Sequence, residues 1–225
     1  MSVGKRSNME PTEYAEKPPR YFSGVRRDFI DALPSDPKAV ILELGCGAGG
    51  TGEYALQEGK CGRYVGMDIS TSAAEAAGER LSEVIVGDVE TIELPWSEPT
   101  FDVLIMSEVL EHLRDPWQTV DRLAALVKPQ GCIMASSPNV SHHKVIRNLI
   151  QGKWELAESG VMDATHLRWF TPSSFEKMFV GAGVIVDKVE PLTPMGRKAR
   201  LINGMTGGRA RHLFMTQICL YGRKS

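Results

Sequence analysis

Cysteine is sparse in this 225-residue chain, long apolar runs are missing, and acidic residues vanish near its C-terminus. The four cysteines, Cys46, Cys61, Cys132 and Cys219, form no C-x-x-C pair. A chain of this size needs no disulfide staples, so they read as reduced and mostly buried, which places the protein in the cytoplasm. No apolar run approaches the roughly 20 residues that cross a bilayer. The opening stretch MSVGKRSNMEPTEYAEKPPR has no apolar core of the kind a secretory signal requires. Residues 1–19 read as a polar lead-in compatible with disorder. Lys and Arg number 26 against 28 Asp and Glu, a net charge of −2, so a surface basic all over for nucleic acid is not expected. The balance is uneven. Seven bases (Arg197, Lys198, Arg200, Arg209, Arg211, Arg223 and Lys224) and no acid follow Glu190, so the last 35 residues carry +7 and the first 190 carry −9. Such a split suits either an anionic partner at the tail 197–224 or a solvated basic surface.

With 42% hydrophobic and 24% charged residues, disordered and fibrous classes are excluded. The length fits one domain, here 20–225, with at most a small insertion. Short apolar runs alternate with helical stretches. Strands are predicted at Ala39–Leu44, Tyr64–Asp68, Glu83–Asp88, Phe101–Met106 and Cys132–Ala135, with helices over 18–33, 51–58 and 71–81. A further helix is opened by Asp115 and Pro116 and runs to about Val127, and Lys128-Pro129-Gln130-Gly131 closes it. Strands apolar on both faces and alternating with helices imply a parallel α/β sheet covered on both sides. Residues 139–170, rich in His, Arg and Trp, break the pattern and read as an insertion over the sheet's C-terminal edge. A short helix Phe175–Gly181 behind Thr171-Pro172 and two antiparallel strands, Val184–Val189 and Leu213–Leu220, complete the chain.

Gly45-Cys46-Gly47-Ala48-Gly49-Gly50 matches G-x-G-x-x-G, which a dinucleotide dehydrogenase would also satisfy. The glycines allow a sharp turn and a close approach to a ligand. Asp68, 23 residues after Gly45, is placed to hold both hydroxyls of a ribose. Three details favour S-adenosylmethionine (SAM). Glu43 precedes the glycines, where an acid suits a cationic amino-acid tail better than a pyrophosphate. Asp88, followed by Val89, closes the third strand, where an acid can bond an adenine amino group. No basic residue lies near the glycines. Taken singly, each acid could equally be a strand-end cap.

The ordered set VILELGCGAGG, VGMDIS, VIVGDVE and FDVLIMSEVLEHLRDP resembles the class I SAM-dependent methyltransferases over roughly residues 20–190. The resemblance implies a Rossmann-like, mostly parallel seven-stranded sheet with helices on both faces and an antiparallel last strand. It also implies SAM held across Gly45, Gly47, Asp68, Ile69, Asp88 and Val89. Ser107, which ends the fourth strand, is grouped with these cofactor contacts.

SAM carries an activated methyl, so the enzyme must align an acceptor and, for an alcohol, deprotonate it or bind it to a metal. Glu108, Glu111 and His112 follow the fourth strand at spacings that share one face of a helical turn. They form either a general-base cluster or most of a metal site, to which the segment DATHLRWFT at 163–171 could add a fourth ligand. This E-x-x-E-H with a distant His resembles the small-RNA 3′-terminal 2′-O-methyltransferases and the ubiquinone-pathway O-methyltransferases. The first resemblance implies a divalent cation (Mg, Mn, Fe or Zn) on Glu108, Glu111, His112 and His166, holding two neighbouring hydroxyls. DATHLRWFT itself is similar to methyltransferases of bacterial surface-sugar and secondary-metabolite pathways.

The catalytic candidates are therefore Glu111, His112, His166 and His142. Alternatives stay open: Glu108 against backbone amides near SAM, His166 with Arg168 clamping a phosphate or carboxylate, and His142-His143 lining a pocket. Trp154 and Trp169 stack on a sugar ring or pack in the core. The expectation is an O-methyltransferase of a sugar-like hydroxyl acceptor, nucleotide- or lipid-linked forms included. RNA 2′-O-methylation is the alternative enzyme and is disfavoured by the net charge; a SAM-binding module without catalysis is the alternative outside enzymes.

Overall fold

A computed structural model describes residues 24–225. The lead-in over 1–19 and the first turn of the helix expected over 18–33 lie outside the described residues. The chain divides into two compact units, the first ending at Glu93 and the second beginning at Leu94.

In the first unit, helix α1 (Arg27–Ala32) buries Phe29 and Ile30. Strand β1 (Val40–Leu44) is followed by α2 (Gly50–Gln57), β2 (Arg63–Asp68), α3 (Thr71–Gly78) and β3 (Glu83–Val86). β1 pairs parallel with β2, and β2 with β3. Ile41, Leu42, Tyr64, Val65 and Met67 are fully buried, as continuous apolar strands in a parallel sheet require. Ser70 caps α3 by accepting from the Ala73 amide. The helix ends at Gly78, three residues before the predicted end at 81.

Gly52 lets α2 lie close to β2. A methyl group at this position would sit 2.4 Å from Leu81 Cδ2 and 2.5 Å from Tyr64 Cδ1, and Tyr64 has no room to retreat because it is fully buried. Gly52→Ala is therefore expected to destabilise the protein by about 1–3 kcal/mol through overpacking, despite alanine's better helix propensity. Urea unfolding of the variant against wild type measures it.

In the second unit, β4 (Phe101–Ser107) leads through a 3-10 turn (Leu110–His112) into α4 (Pro116–Ala124) and β5 (Val127–Pro138). Helices α5 (His143–Ile150) and α6 (Pro172–Gly181), strand β6 (Val184–Pro191), helix α7 (Arg197–Met205), a 3-10 turn (Arg211–Phe214) and β7 (Gln217–Lys224) follow. Asp115 accepts from the Gln118 amide with Pro116 in the first turn of α4, a cap contributing about 1 kcal/mol. Thr171 and Ser174 cap α6 reciprocally. β4 pairs parallel with β5, and β7 pairs antiparallel with both β5 and β6. The strand order is β3-β2-β1-β4-β5-β7-β6: a Rossmann-like, mostly parallel seven-stranded sheet with a reversed last strand.

Boundaries in the second unit also differ from the sequence expectation. α4 stops at Ala124, and β5 starts at Val127 rather than Cys132, because the Thr100 and Phe101 amides both donate to Leu126 O and Val127 pairs with Phe101. The Lys128–Gly131 stretch is thus an irregular passage inside the strand, with Gln130 at φ 64°. The last strand begins at Gln217 rather than Leu213, because residues 211–214 form a turn. Asn139 Nδ2 holds that turn, donating to His212 O and Met215 O at 2.7 Å each.

Candidate active site

The first unit assembles the residues expected to bind the donor at the ends of β1 and β2. Gly45 and Gly47 have φ of 73° and 52°, conformations that L side chains rarely adopt. Gly45 and Cys46 donate their amides to Met67 O, and the Gly47 amide donates to Asp68 Oδ2 at 2.8 Å. Asp68 Oδ1 accepts from the Ser70 amide at 2.9 Å. The buried Asp68 carboxylate is thereby fixed at the loop, and each oxygen keeps a second lone pair for a hydroxyl. Its pKa is raised by burial, against the lowering from these amides.

Glu43 is 2% exposed and accepts from Tyr64 Oη at 2.9 Å. Burial pushes its carboxyl up to about 7, against the opposing pull of that hydrogen bond, of Thr51 and of Arg26. A group that costs this much to ionise in place matches a cationic ligand. Asp88 Oδ1 accepts from the Glu90 amide and its carbonyl caps the turn 88–92. Val89 is buried and Ile69 is exposed.

The second unit gathers a different set. β4 ends at Ser107, whose Oγ lies 3.2 Å from Ser136 Oγ. Glu108 follows at φ 51°, a sparsely populated conformation for a non-glycine residue. Its amide donates to Ser136 O, and its Oε2 accepts from Gln217 Nε2 at 2.9 Å. Glu111 is 1% exposed. Its Oε2 accepts from Ser137 Oγ at 3.1 Å, while its Oε1 is buried with no hydrogen-bond partner among the described residues. Burial first, and then the Glu108 carboxylate, hold Glu111 well above the usual carboxylate range.

The two imidazoles share one tautomer. His112 Nδ1 lies 3.2 Å from Thr165 O, and His166 Nδ1 lies 3.2 Å from Val161 O. A carbonyl oxygen can only accept, so each Nδ1 carries a proton, which leaves Nε2 as the lone-pair atom of either ring in its neutral form. The rings meet edge to face at 4.9 Å. One ligand atom each from Glu111, His112 and His166 falls within 4.8 Å of the others.

The predicted four-residue group is therefore three. The 3-10 turn starts at Leu110, so the spacing that puts i and i+3 on one face does not reach back to Glu108, and the cluster of three excludes it. His142, 6% exposed, sits at the N-terminus of α5 against His143, also outside that cluster. Its pKa is lowered, by burial first and then by His143 and Lys144. The Arg168 guanidinium donates to the carbonyls of Leu167 and Arg114, which leaves it less suited to the anion clamp considered above. Trp154 and Trp169 meet edge to face at 5.3 Å.

Four supporting residues escaped the sequence reading. Ser137 anchors Glu111. Asp163 Oδ1 accepts from Thr165 N and Oγ1, fixing the carbonyl that orients His112. Gln217 holds Glu108, and Asn139 ties β5 to the turn 211–214. Asp163 and Asn139 left a local signal, since Asp or Asn favours a turn in which its side chain accepts from the amide two residues on, here Thr165 and Ser141.

Residues 14–189 match a family model described as a methyltransferase domain. A ubiquinone biosynthesis O-methyltransferase of Burkholderia thailandensis is 27% identical over 196 residues, covering 83% of each chain. An uncharacterized 37.1 kDa protein in transposon TN4556 of Streptomyces fradiae is 32% identical over 116 residues, and the match spans 49% of this chain and only 33% of that protein. A SAM-dependent methyltransferase from Archaeoglobus fulgidus shares the fold with a TM-score of 0.67 at 19% identity, over 94% of this chain and 97% of its own. A glycine loop and strand-end acids in the first unit, a seven-stranded sheet with a reversed last strand, and a family match over most of the chain meet in one conclusion: this protein belongs to the methyltransferase-domain family and is a class I SAM-dependent methyltransferase.

Proposed function

We propose that the protein methylates a hydroxyl of a sugar or related vicinal-diol small molecule, nucleotide- or lipid-linked forms included, in a surface-glycan or secondary-metabolite pathway. The observation that carries this reading is the Glu111–His112–His166 group, two of its members buried, whose ligand atoms lie within 4.8 Å of one another, with Glu111 Oε1 lacking a hydrogen-bond partner among the described residues. Amine acceptors need no such group once neutral; an alcohol does.

On the donor side, Glu43 meets the cationic methionine tail, Gly45 and Gly47 admit the nucleoside, and Asp68 holds the ribose hydroxyls. Ile69, Asp88 and Val89 surround the adenine, and Ser107 completes the set. On the acceptor side, segment 139–170 covers the substrate. The acceptor oxygen attacks the methyl carbon as the carbon–sulfur bond breaks, S-adenosylhomocysteine leaves, and the hydroxyl proton passes to an imidazole. Two His and one Glu, with their second nitrogens bonded to carbonyls, are also a donor set that fits a divalent cation. Held there, the ion would act as a Lewis acid toward the acceptor oxygens. His142, held neutral by burial, is then the remaining imidazole able to take the proton. The basic tail would meet an anionic group, either a diphosphate on the acceptor or a membrane face.

A catechol is the second acceptor reading, favoured by the ubiquinone biosynthesis O-methyltransferase that matches over 83% of both chains. It shares the paired hydroxyls. Release of S-adenosylhomocysteine from SAM, measured against nucleotide-activated sugars, catechols and RNA 3′ ends, tests the assignment. Turnover is expected on a diol and should fall roughly a hundredfold or more when the neighbouring hydroxyl is replaced by hydrogen. SAM binding with no transfer to any acceptor would instead leave the non-catalytic module.

A further inference from the structure

We propose that helix α7 docks the protein on an anionic lipid bilayer surface. The helix contacts the rest of the protein through its small and polar side. Ala199 and Asn203, four residues apart, are its only half-buried positions, and no residue of the helix is buried. At 100° per residue, Leu201 and Met205, 67% and 81% exposed, lie opposite that row, and Ile202, 46% exposed, continues the apolar stripe on its flank. A surface helix of a globular protein ordinarily turns its apolar stripe inward; α7 is inverted.

The charge around this stripe has one sign. Arg197, Lys198 and Arg200 on the helix and Arg209 and Arg211 beyond it are all exposed, and residues 191–225 hold no acid to balance them. Arg223 and Lys224 are not part of this face: Arg223 pairs with Asp187 and Gln130 on the sheet, and Lys224 bonds Ala182 O. Apolar side chains directed outward between flanking bases fit a bilayer of negative surface charge. The apolar residues enter the headgroup–acyl boundary, the bases meet lipid phosphates, and Lys198 reaches out along the stripe by its aliphatic stem. RNA would answer the bases and leave Leu201, Ile202 and Met205 in water. A second copy would set two helices of like charge against each other.

This inference rests on the anion contact proposed for the tail, and it narrows that contact to lipid. The test is co-flotation of the full-length protein with vesicles. Binding is expected to vesicles of phosphatidylcholine mixed with phosphatidylglycerol, and not to phosphatidylcholine alone. Replacing Leu201, Ile202 and Met205 together by Ser should lower partitioning roughly a hundredfold. Arg197→Gln with Lys198→Gln and Arg200→Gln should lower it about tenfold or more and flatten its salt dependence. Both sets should keep the wild-type unfolding midpoint and SAM affinity, since the replaced side chains are exposed. No flotation with the mixed vesicles, or equal flotation of the serine variant, overturns the proposal. So does a wild-type dimer in sedimentation velocity that the serine variant abolishes, or RNA retention lost in the glutamine variant alone. Flotation reads no methyl transfer, so a chain that floats and methylates nothing upholds the docking while sinking the proposed reaction.

Discussion

Glu111→Gln and His166→Ala are each expected to cut methyl transfer to a hydroxyl acceptor by about 10²–10⁴-fold while SAM affinity is unchanged. The two residues belong to the second unit, and the loop amides and acids assigned to SAM, Ser107 apart, belong to the first. Loss of turnover with retained binding therefore separates acceptor chemistry from donor capture. Folding is a poor rival explanation for Glu111→Gln. Its carboxyl is almost fully buried, with one oxygen lacking a hydrogen-bond partner among the described residues, and burial already disfavours its ionisation, so the neutral amide of the same shape removes no buried charge pairing that folding needs. Two mechanisms for the loss give different second readouts. If the three residues hold a divalent ion, exhaustive chelation of wild type reproduces the defect and re-addition of Mg, Mn, Fe or Zn repairs it. If an imidazole is the base, chelation changes nothing while His166→Ala still abolishes transfer. Unchanged turnover in both variants rejects the assigned roles.

The strands and the glycine loop were legible because their signals are local: apolar runs of strand length, glycines where φ is positive, and acids at strand ends. The acceptor-side cluster was legible only in part. The E-x-x-E-H spacing gave Glu111 and His112, but it also drew in Glu108, because nothing local marks that helical geometry begins two residues later at Leu110. His166 reaches the cluster across 54 residues of chain, so no periodicity could place it, and it entered through resemblance. Ser137 and Gln217 act across 26 and 109 residues and left no trace at all. The tail shows the same limit. Its seven bases are alike in sequence, and only the register of β7 against β6 separates Arg223 and Lys224, which are spent on the sheet, from the five that face outward.

Glu43→Gln is expected to stabilise the protein by on the order of 3 kcal/mol above neutral pH and to do almost nothing near pH 4.5. Glu43 ionises at about 7 in the folded chain against the usual 4.5, chiefly because it is buried. Below 4.5 both folded and unfolded states carry the proton and no difference arises. Between 4.5 and about 7 the folded state keeps a proton that the unfolded chain has lost, so wild-type stability falls as pH rises. Above about 7 the buried carboxylate is charged and the deficit is complete. Glutamine can still accept from Tyr64 Oη and has nothing to ionise, so the variant escapes this fall. Other titrating groups act on both proteins alike and cancel in the difference. Urea midpoints should separate by about 1 M at about pH 8 and converge at about pH 4 and below. SAM adds the second half of the argument. If its cationic tail meets Glu43, binding favours the ionised form, so wild-type affinity should rise through pH 7 with a proton released. Glu43→Gln should bind more weakly with a flat profile. Calorimetry in buffers of different ionisation enthalpy measures that proton. Urea midpoints that track each other at both pH values would show that Glu43 does not carry it.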